Sequence, residues 1–263
     1  MNIKRVVCWV SAGAASAVAA KMAQKEWGDK CVFVYQDTGS EHPDNKRFLK
    51  NLESWYGQKI LRIGSKDFKD TWEVFEKTRY LVGPTGARCT GELKKKVALA
   101  FIEFADLEIF GYTLEEQKRV DLFIKQNFER NASFPLIESQ LKKEDCLAII
   151  ERAGIDLPVM YKLGFKNNNC IGCVKGAAGY WNHVRKHFPE VFERMSKVER
   201  SLNVAINKTA RPPKKGEKPG KNGLVRERVF LDELDPDAGN MMTEPAISCG
   251  LFCAMAENDL SGQ

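Results

Sequence analysis

The pattern that most constrains this chain is the alternation of short apolar runs with longer amphipathic ones through its first half. Residues 5–10, 31–35, 60–63 and 108–111 read as strands, and residues 14–27, 43–56, 70–78, 92–101 and 113–127 as helices. Strands that are almost continuously apolar must be buried on both faces, which implies a parallel sheet with helices on both faces. The expected fold class is therefore α/β and Rossmann-like. Sheets of this kind bind ligands beyond the carboxyl ends of their strands, where loops turn into helices. Three loops fall there: residues 11–16, 37–42 and 111–115.

The second half is less regular. Residues 139–153 and 180–199 read as helices, with a turn-rich loop over 164–173. Residues 209–223 are rich in Pro, Gly and Lys, as mobile connections are. We expect one domain over residues 1–200, a basic flexible linker over 201–223, and a cysteine-bearing C-terminal segment over 224–263. The net charge of +6 comes mostly from the linker, where residues 208–223 hold six Lys or Arg and one Glu. Such a stretch can touch nucleic-acid phosphates but more often is simply solvated, so nucleic acid is a weakly supported partner. No apolar run is long enough to cross a bilayer and residues 6–10 are too few for a signal-peptide core, so the expected location is cytoplasmic, with no membrane association.

In a reducing compartment the eight cysteines point to metal ligation or redox chemistry rather than a disulfide framework. Cys170-Ile171-Gly172-Cys173 is the strongest such signal, because two thiols separated by two residues can face one metal. Cys249 and Cys253 form a second pair, able to complete a four-thiolate site or to supply a nucleophile. Cys8, Cys31 and Cys146 fall inside strand or helix patterns and read as small core residues. His183 and His187 lie four apart on one helix, a metal-capable spacing, yet without carboxylate support they read as surface residues.

Ser11-Ala12-Gly13-Ala14-Ala15-Ser16 joins a strand to a helix, and its small side chains let backbone amides approach a phosphate. This loop resembles the PP-loop of the adenine nucleotide alpha hydrolase superfamily: Ser11, Gly13 and Ser16 match, Ala12 replaces a glycine, and Ala15 stands where an acidic residue is usual. Asp37-Thr38-Gly39 is similar to the Asp-Thr-Gly of that superfamily's phosphoadenosine phosphosulfate (PAPS) reductase branch. Gly111-Tyr112-Thr113-Leu114-Glu115-Glu116-Gln117-Lys118-Arg119 resembles its glycine-arginine-x-x-glutamate segment, with Tyr112 in the arginine position. Thr113 and Glu116 also make a capping box, which leaves Glu115 and Arg119 as site candidates. Phe134-Pro135, Lys143-Glu144-Asp145-Cys146 and Pro158-Val159-Met160-Tyr161-Lys162-Leu163-Gly164 follow in the order seen in PAPS reductases, so the likeness covers about residues 6–173.

The resemblance implies an adenine nucleotide-binding enzyme that handles adenosine phosphosulfate (PAPS or APS), with Lys94 near the sulfate. Cys89, Cys170 and Cys173 match three of the four cysteines that hold an iron-sulfur cluster (4Fe-4S) in related adenylylsulfate reductases, where Arg88 replaces the first. Cys253 or Cys249 could supply the fourth ligand, and zinc is the alternative metal. Ser248-Cys249-Gly250-Leu251-Phe252 resembles the motif whose cysteine attacks sulfate sulfur, Ser248 and Phe252 replacing its glutamate and histidine. A thioredoxin-type reductant is then the implied partner. Two other functions stay open: an ATP-dependent sulfurtransferase modifying a tRNA or DNA base with an iron-sulfur centre, and a non-catalytic nucleotide-binding module with structural zinc.

Overall fold

A computed structural model of the chain describes residues 3–83, 86–220 and 222–247. The first three strand–helix units are β1 (Val6–Trp9), α1 (Ala14–Trp27), β2 (Cys31–Asp37), α2 (Asn45–Tyr56), β3 (Ile60–Gly64) and α3 (Thr71–Thr78). A short antiparallel ladder, β4 (Val82–Gly83) with β5 (Gly86–Ala87), leads into a continuous helical stretch. That stretch is α4 (Arg88–Thr90), a π-helical turn (Gly91–Lys95) and α5 (Lys96–Phe101). Next come β6 (Leu107–Ile109), a 3-10 turn (Leu114–Glu116), α6 (Gln117–Gln126), β7 (Ala132–Ser133), α7 (Pro135–Glu138), α8 (Lys143–Arg152) and α9 (Val159–Lys162).

The main sheet has the order β3-β2-β1-β6-β7 and every pair in it is parallel. Alternation along β1 shows why both faces are covered, since successive side chains of a strand point to opposite faces. Val6, Cys8 and Val10 pack with α1, α2 and α8 residues such as Ala17, Leu49 and Ile150. Val7 and Trp9 pack with Ala98 of α5 and Val120 and Phe123 of α6. The α/β expectation therefore holds, including helices on both faces. Cys8, Cys31 and Cys146 are all fully buried, as expected of small core residues.

Sequence signals explain the helix ends. Gly57 ends α2 in the left-handed conformation, the usual terminator. The Asp70 side chain accepts the Glu73 amide at 2.8 Å and caps α3. Thr113 and Glu116 form the anticipated capping box.

Three expectations shift. Residues 180–199 are two helices, α10 (Ala178–His187) and α11 (Pro189–Leu202), because Pro189 suits a first helical turn but cannot continue α10. The strand expected at 108–111 ends at Ile109, and Gly111 belongs to the loop. The region expected to be a linker over 201–223 contains β8 (Asn207–Arg211), which pairs antiparallel with β9 (Val225–Val229). Only the exposed residues between those strands keep the connector character. The described C-terminal segment packs too: Leu231 and Leu234 are buried in a second core with Trp72, Phe165, Trp181 and Met195. Among the described residues no helix is long and apolar enough to cross a membrane.

Strand order decides where a ligand can sit. The chain runs β1, β2, β3 toward one edge, then crosses back to place β6 on the other side of β1. The helices that follow β1 and β6, α1 and α6, therefore pack on opposite faces of the sheet and leave a crevice at its carboxyl edge.

Candidate functional site

A cavity of about 510 Å³ occupies that crevice, within the range of about 300–1,000 Å³ common for small-ligand sites. One wall is the loop after β1. The Ser16 hydroxyl donates to the Gly13 carbonyl at 3.0 Å and accepts from both the amide and the hydroxyl of Ser11 at 3.0 Å. Serines 11 and 16 thus clasp the loop from its two ends. Ala12 takes a left-handed conformation, φ 55°, a turn that glycine adopts more readily than alanine. Gly13 precedes α1, which has no acidic residue in its first turn. Its first amides have no intrahelical acceptor, and the helix dipole favours an anion there.

The loop after β6 forms the facing wall. A Cβ on Gly111 would lie 2.5 Å from Ser16 Cα and 2.6 Å from its amide nitrogen, so glycine is required for the two loops to touch. Tyr112, Thr113, Glu115, Glu116 and Arg119 line the cavity beyond it. The Arg119 guanidinium stacks 4.8 Å above the Tyr112 ring and pairs with Glu116. Glu116 is therefore more than a cap. Burial alone would push the Glu115 carboxyl up, but hydrogen bonds from its own amide, Thr113 and the Lys143 amide outweigh it and hold it below the usual range.

The third loop contributes differently from expectation. Asp37 accepts the Gly39 amide at 2.9 Å in a local turn. Gly39, with φ 66°, abuts the Lys69 carbonyl so closely that a Cβ would lie 2.0 Å from it. Thr38 is buried and its hydroxyl lies 3.1 Å from Cys170 Sγ. None of Asp37, Thr38 and Gly39 lines the cavity; the residues flanking them, Gln36 and Glu41, do. Lys94 is brought in by the π turn, its carbonyl accepting Gln36 Nε2 at 2.8 Å. Desolvation pushes the Glu41 carboxyl up, opposed by the Lys94 charge and by hydrogen bonds from Tyr35 and Asn45.

The fourth wall was not among the expected site residues. Lys143, Tyr161 and Asn167-Asn168-Asn169 all line the cavity. Asn168, 5% exposed, donates to the Ala12 carbonyl at 2.7 Å and to Asn45 Oδ1 at 2.8 Å. Asn45 in turn donates to Glu41 at 2.8 Å, so one network ties the loop after β1 to the far wall. Asn167 and Asn169 turn outward and both donate to the Ile247 carbonyl, at 2.7 and 3.1 Å. Ala246 and Ile247 thereby join the cavity lining. The run Pro158-Val159-Met160-Tyr161 was visible in the sequence, but an aromatic in a short helix is indistinguishable there from a core residue.

The cysteines divide. The Tyr180 hydroxyl accepts the amides of Gly172 and Cys173 at 3.1 and 3.0 Å, holding the Cys170–Cys173 turn. Cys89 and Cys173 both pack against the second core, and Cys170 faces Thr38. Among the described residues no three His, Cys, Asp or Glu side chains are arranged to share one metal ion. Cys249 and Cys253 lie outside the described residues. The His183 and His187 rings lie 4.4 Å apart with a 55° tilt between them, and the His183 Nε2 is 2.7 Å from the Leu163 carbonyl, a structural bond.

Fold and cavity together define a parallel α/β protein with a cavity of small-ligand size at its topological switch point. No family model matches the chain. A curated relative is an uncharacterized protein of Methanocaldococcus jannaschii, 23% identical over 210 residues, which make up 75% of this chain and 42% of that protein. The chain thus spans less than half the length of the relative it matches.

Proposed function

We propose that this chain binds an adenine nucleotide in the switch-point cavity and acts as a sulfonucleotide reductase. One observation carries the reading: Ser11, Gly13 and Ser16 face Gly111, Tyr112, Glu115 and Arg119 across a single cavity, with Lys94 on its wall. These are the segments whose order resembles that of PAPS reductases. The N-terminus of α1 suits a 5′-phosphate, and Lys94 and Arg119 suit the sulfate. The described chain reaches the cavity at Ile247, two residues before Cys249 in sequence.

In the proposed reaction the Cys249 thiolate attacks the sulfate sulfur of an adenosine phosphosulfate. The sulfur–oxygen bond to the 5′-phosphate breaks, and the nucleotide leaves with that electron pair. A thioredoxin-type dithiol then attacks the Cys249 sulfur, releases sulfite and forms a mixed disulfide, which its second thiol resolves. The dithiol is oxidised to a disulfide, and the sulfate-level sulfur is reduced to sulfite. Thiolate chemistry of this kind is standard for nucleophilic cysteines.

The test is sulfite release from APS and PAPS by anaerobically purified full-length protein with a dithiol reductant. We expect turnover with one of the two and its loss in Cys249→Ser. No reaction with either substrate would overturn the reading, and release of pyrophosphate from ATP instead would favour an adenylating sulfurtransferase.

A further inference from the structure

The cavity wall opposite the loop after β1 carries a second set of groups suited to an anion. The Tyr161 hydroxyl sits at the start of α1: it accepts the Ala14 amide at 3.4 Å, and a Cβ on Gly13 would lie 3.3 Å from it. A tyrosine oxygen there occupies a place that a ligand oxygen would take at a helix N-terminus. The phenol keeps its proton at neutral pH, so it can accept an amide and still donate to an incoming oxygen.

Lys143 stands beside it, its ammonium 5.6 Å from the centre of the Tyr161 ring. Its hydrogen-bond acceptors are neutral oxygens, the Lys166 carbonyl and the Asn167 side chain. Arg119, by contrast, is paired with Glu116. An anion arriving at α1 therefore meets in Lys143 a cation not committed to an ion pair among the described residues. Asn168 is 5% exposed and spends both its amide hydrogens on Ala12 and Asn45, so it holds the loop after β1 against this wall.

We propose that Tyr161 and Lys143 are substrate-contacting residues that close the anion subsite over the 5′-phosphate of a bound nucleotide. This deepens the nucleotide reading and rests on it. The ligand class is a nucleoside 5′-phosphate or an anhydride of one.

The experiment is calorimetric titration of the full chain with adenosine, AMP and inorganic pyrophosphate, for wild type, Tyr161→Phe and Lys143→Met. Thermal melts establish that each variant is folded; should one fail to fold, the other carries the test. A hydrogen bond to a charged group is worth roughly tenfold or more in affinity. We expect each variant to weaken AMP by about that factor while leaving adenosine within twofold, a split that general loosening of the fold would not produce. If AMP binds wild type and both variants alike, the subsite is overturned and the nucleotide reading survives. If wild type binds pyrophosphate in a Tyr161- and Lys143-dependent way but neither adenosine nor AMP, the anion contacts stand and the adenine nucleotide reading falls. Binding of none of the three by wild type overturns both.

Discussion

At the residue scale the site depends on the absence of a side chain as much as on the presence of others. Gly111 lets the loop after β6 lie directly on the backbone of Ser16, with no room for even a methyl group. Both neighbours are backbone atoms, so a clash cannot be relieved by turning a side chain. Gly111→Ala should cost about 1–3 kcal/mol, as overpacking does, and should weaken the proposed nucleotide binding by separating the two facing walls. Urea unfolding alongside a binding titration checks both. A normal midpoint with normal affinity would show that the walls do not need this contact. Ala12 makes the complementary point. Its left-handed backbone was invisible in the residue type, because a loop conformation is imposed by what the loop is tied to, here the Asn168 amide on the Ala12 carbonyl.

At the element scale, the C-terminal segment is built into the protein through helix α10. The Glu244 carboxylate accepts the Gly179 amide at 2.6 Å and the Tyr180 amide at 3.0 Å, so it caps α10 from a distant part of the chain. A Cβ on Gly179 would lie 2.4 Å from the Met241 nitrogen, which shows how closely the segment crosses the helix start. Asn182 adds bonds to the Asp235 and Ala238 carbonyls, and Lys166 donates to the Glu244 carbonyl. Glu244→Ala removes a cap and a charge matched to the helix dipole, and should destabilise by about 1–2 kcal/mol. Amide hydrogen exchange should quicken at the start of α10 and over residues 240–247; unchanged protection would exclude the cap as the fastener. No sequence rule for local capping could find this carboxylate, since it lies 65 residues from the amide it satisfies.

At the scale of the whole molecule, the second core joins α3, α10 and α11 with the segment after β9, and Glu199 is a polar pin within it. Its side chain is fully buried and accepts the amides of Ile206 at 2.6 Å and Leu231 at 2.7 Å. Burial raises its carboxyl to about 6, the two amides opposing. A folded value above the unfolded one means the native state binds more protons across the window between them. This contribution to stability is present at low pH and is lost as pH rises through about 6. Comparing wild type with Glu199→Gln by denaturant midpoint at a series of pH values isolates the effect. The wild type should lose stability relative to the variant as pH rises across that window. The variant should be weaker overall, because its amide nitrogen faces one of the two backbone donors. Parallel curves for the two proteins would rule out Glu199 as the titrating group.

Much of the fold was legible because it is written in neighbouring residues. The apolar runs at β1 and β2, the small residues of α1 and the Thr113–Glu116 box each express a preference spanning a few positions. Their repetition determined a covered parallel sheet and placed Ser11, Gly13, Ser16 and the 111–119 loop at its carboxyl edge. Tertiary structure alone decided which residues share one cavity. It brought Lys143, Tyr161 and Asn168 to the loop after β1, turned Thr38 away toward Cys170, and carried Ile247 to the rim. Those placements come from contacts between segments far apart in the chain, such as Ala12 with Asn168, Thr38 with Cys170 and Asn167 with Ile247, and periodicity and local propensity hold no record of such contacts.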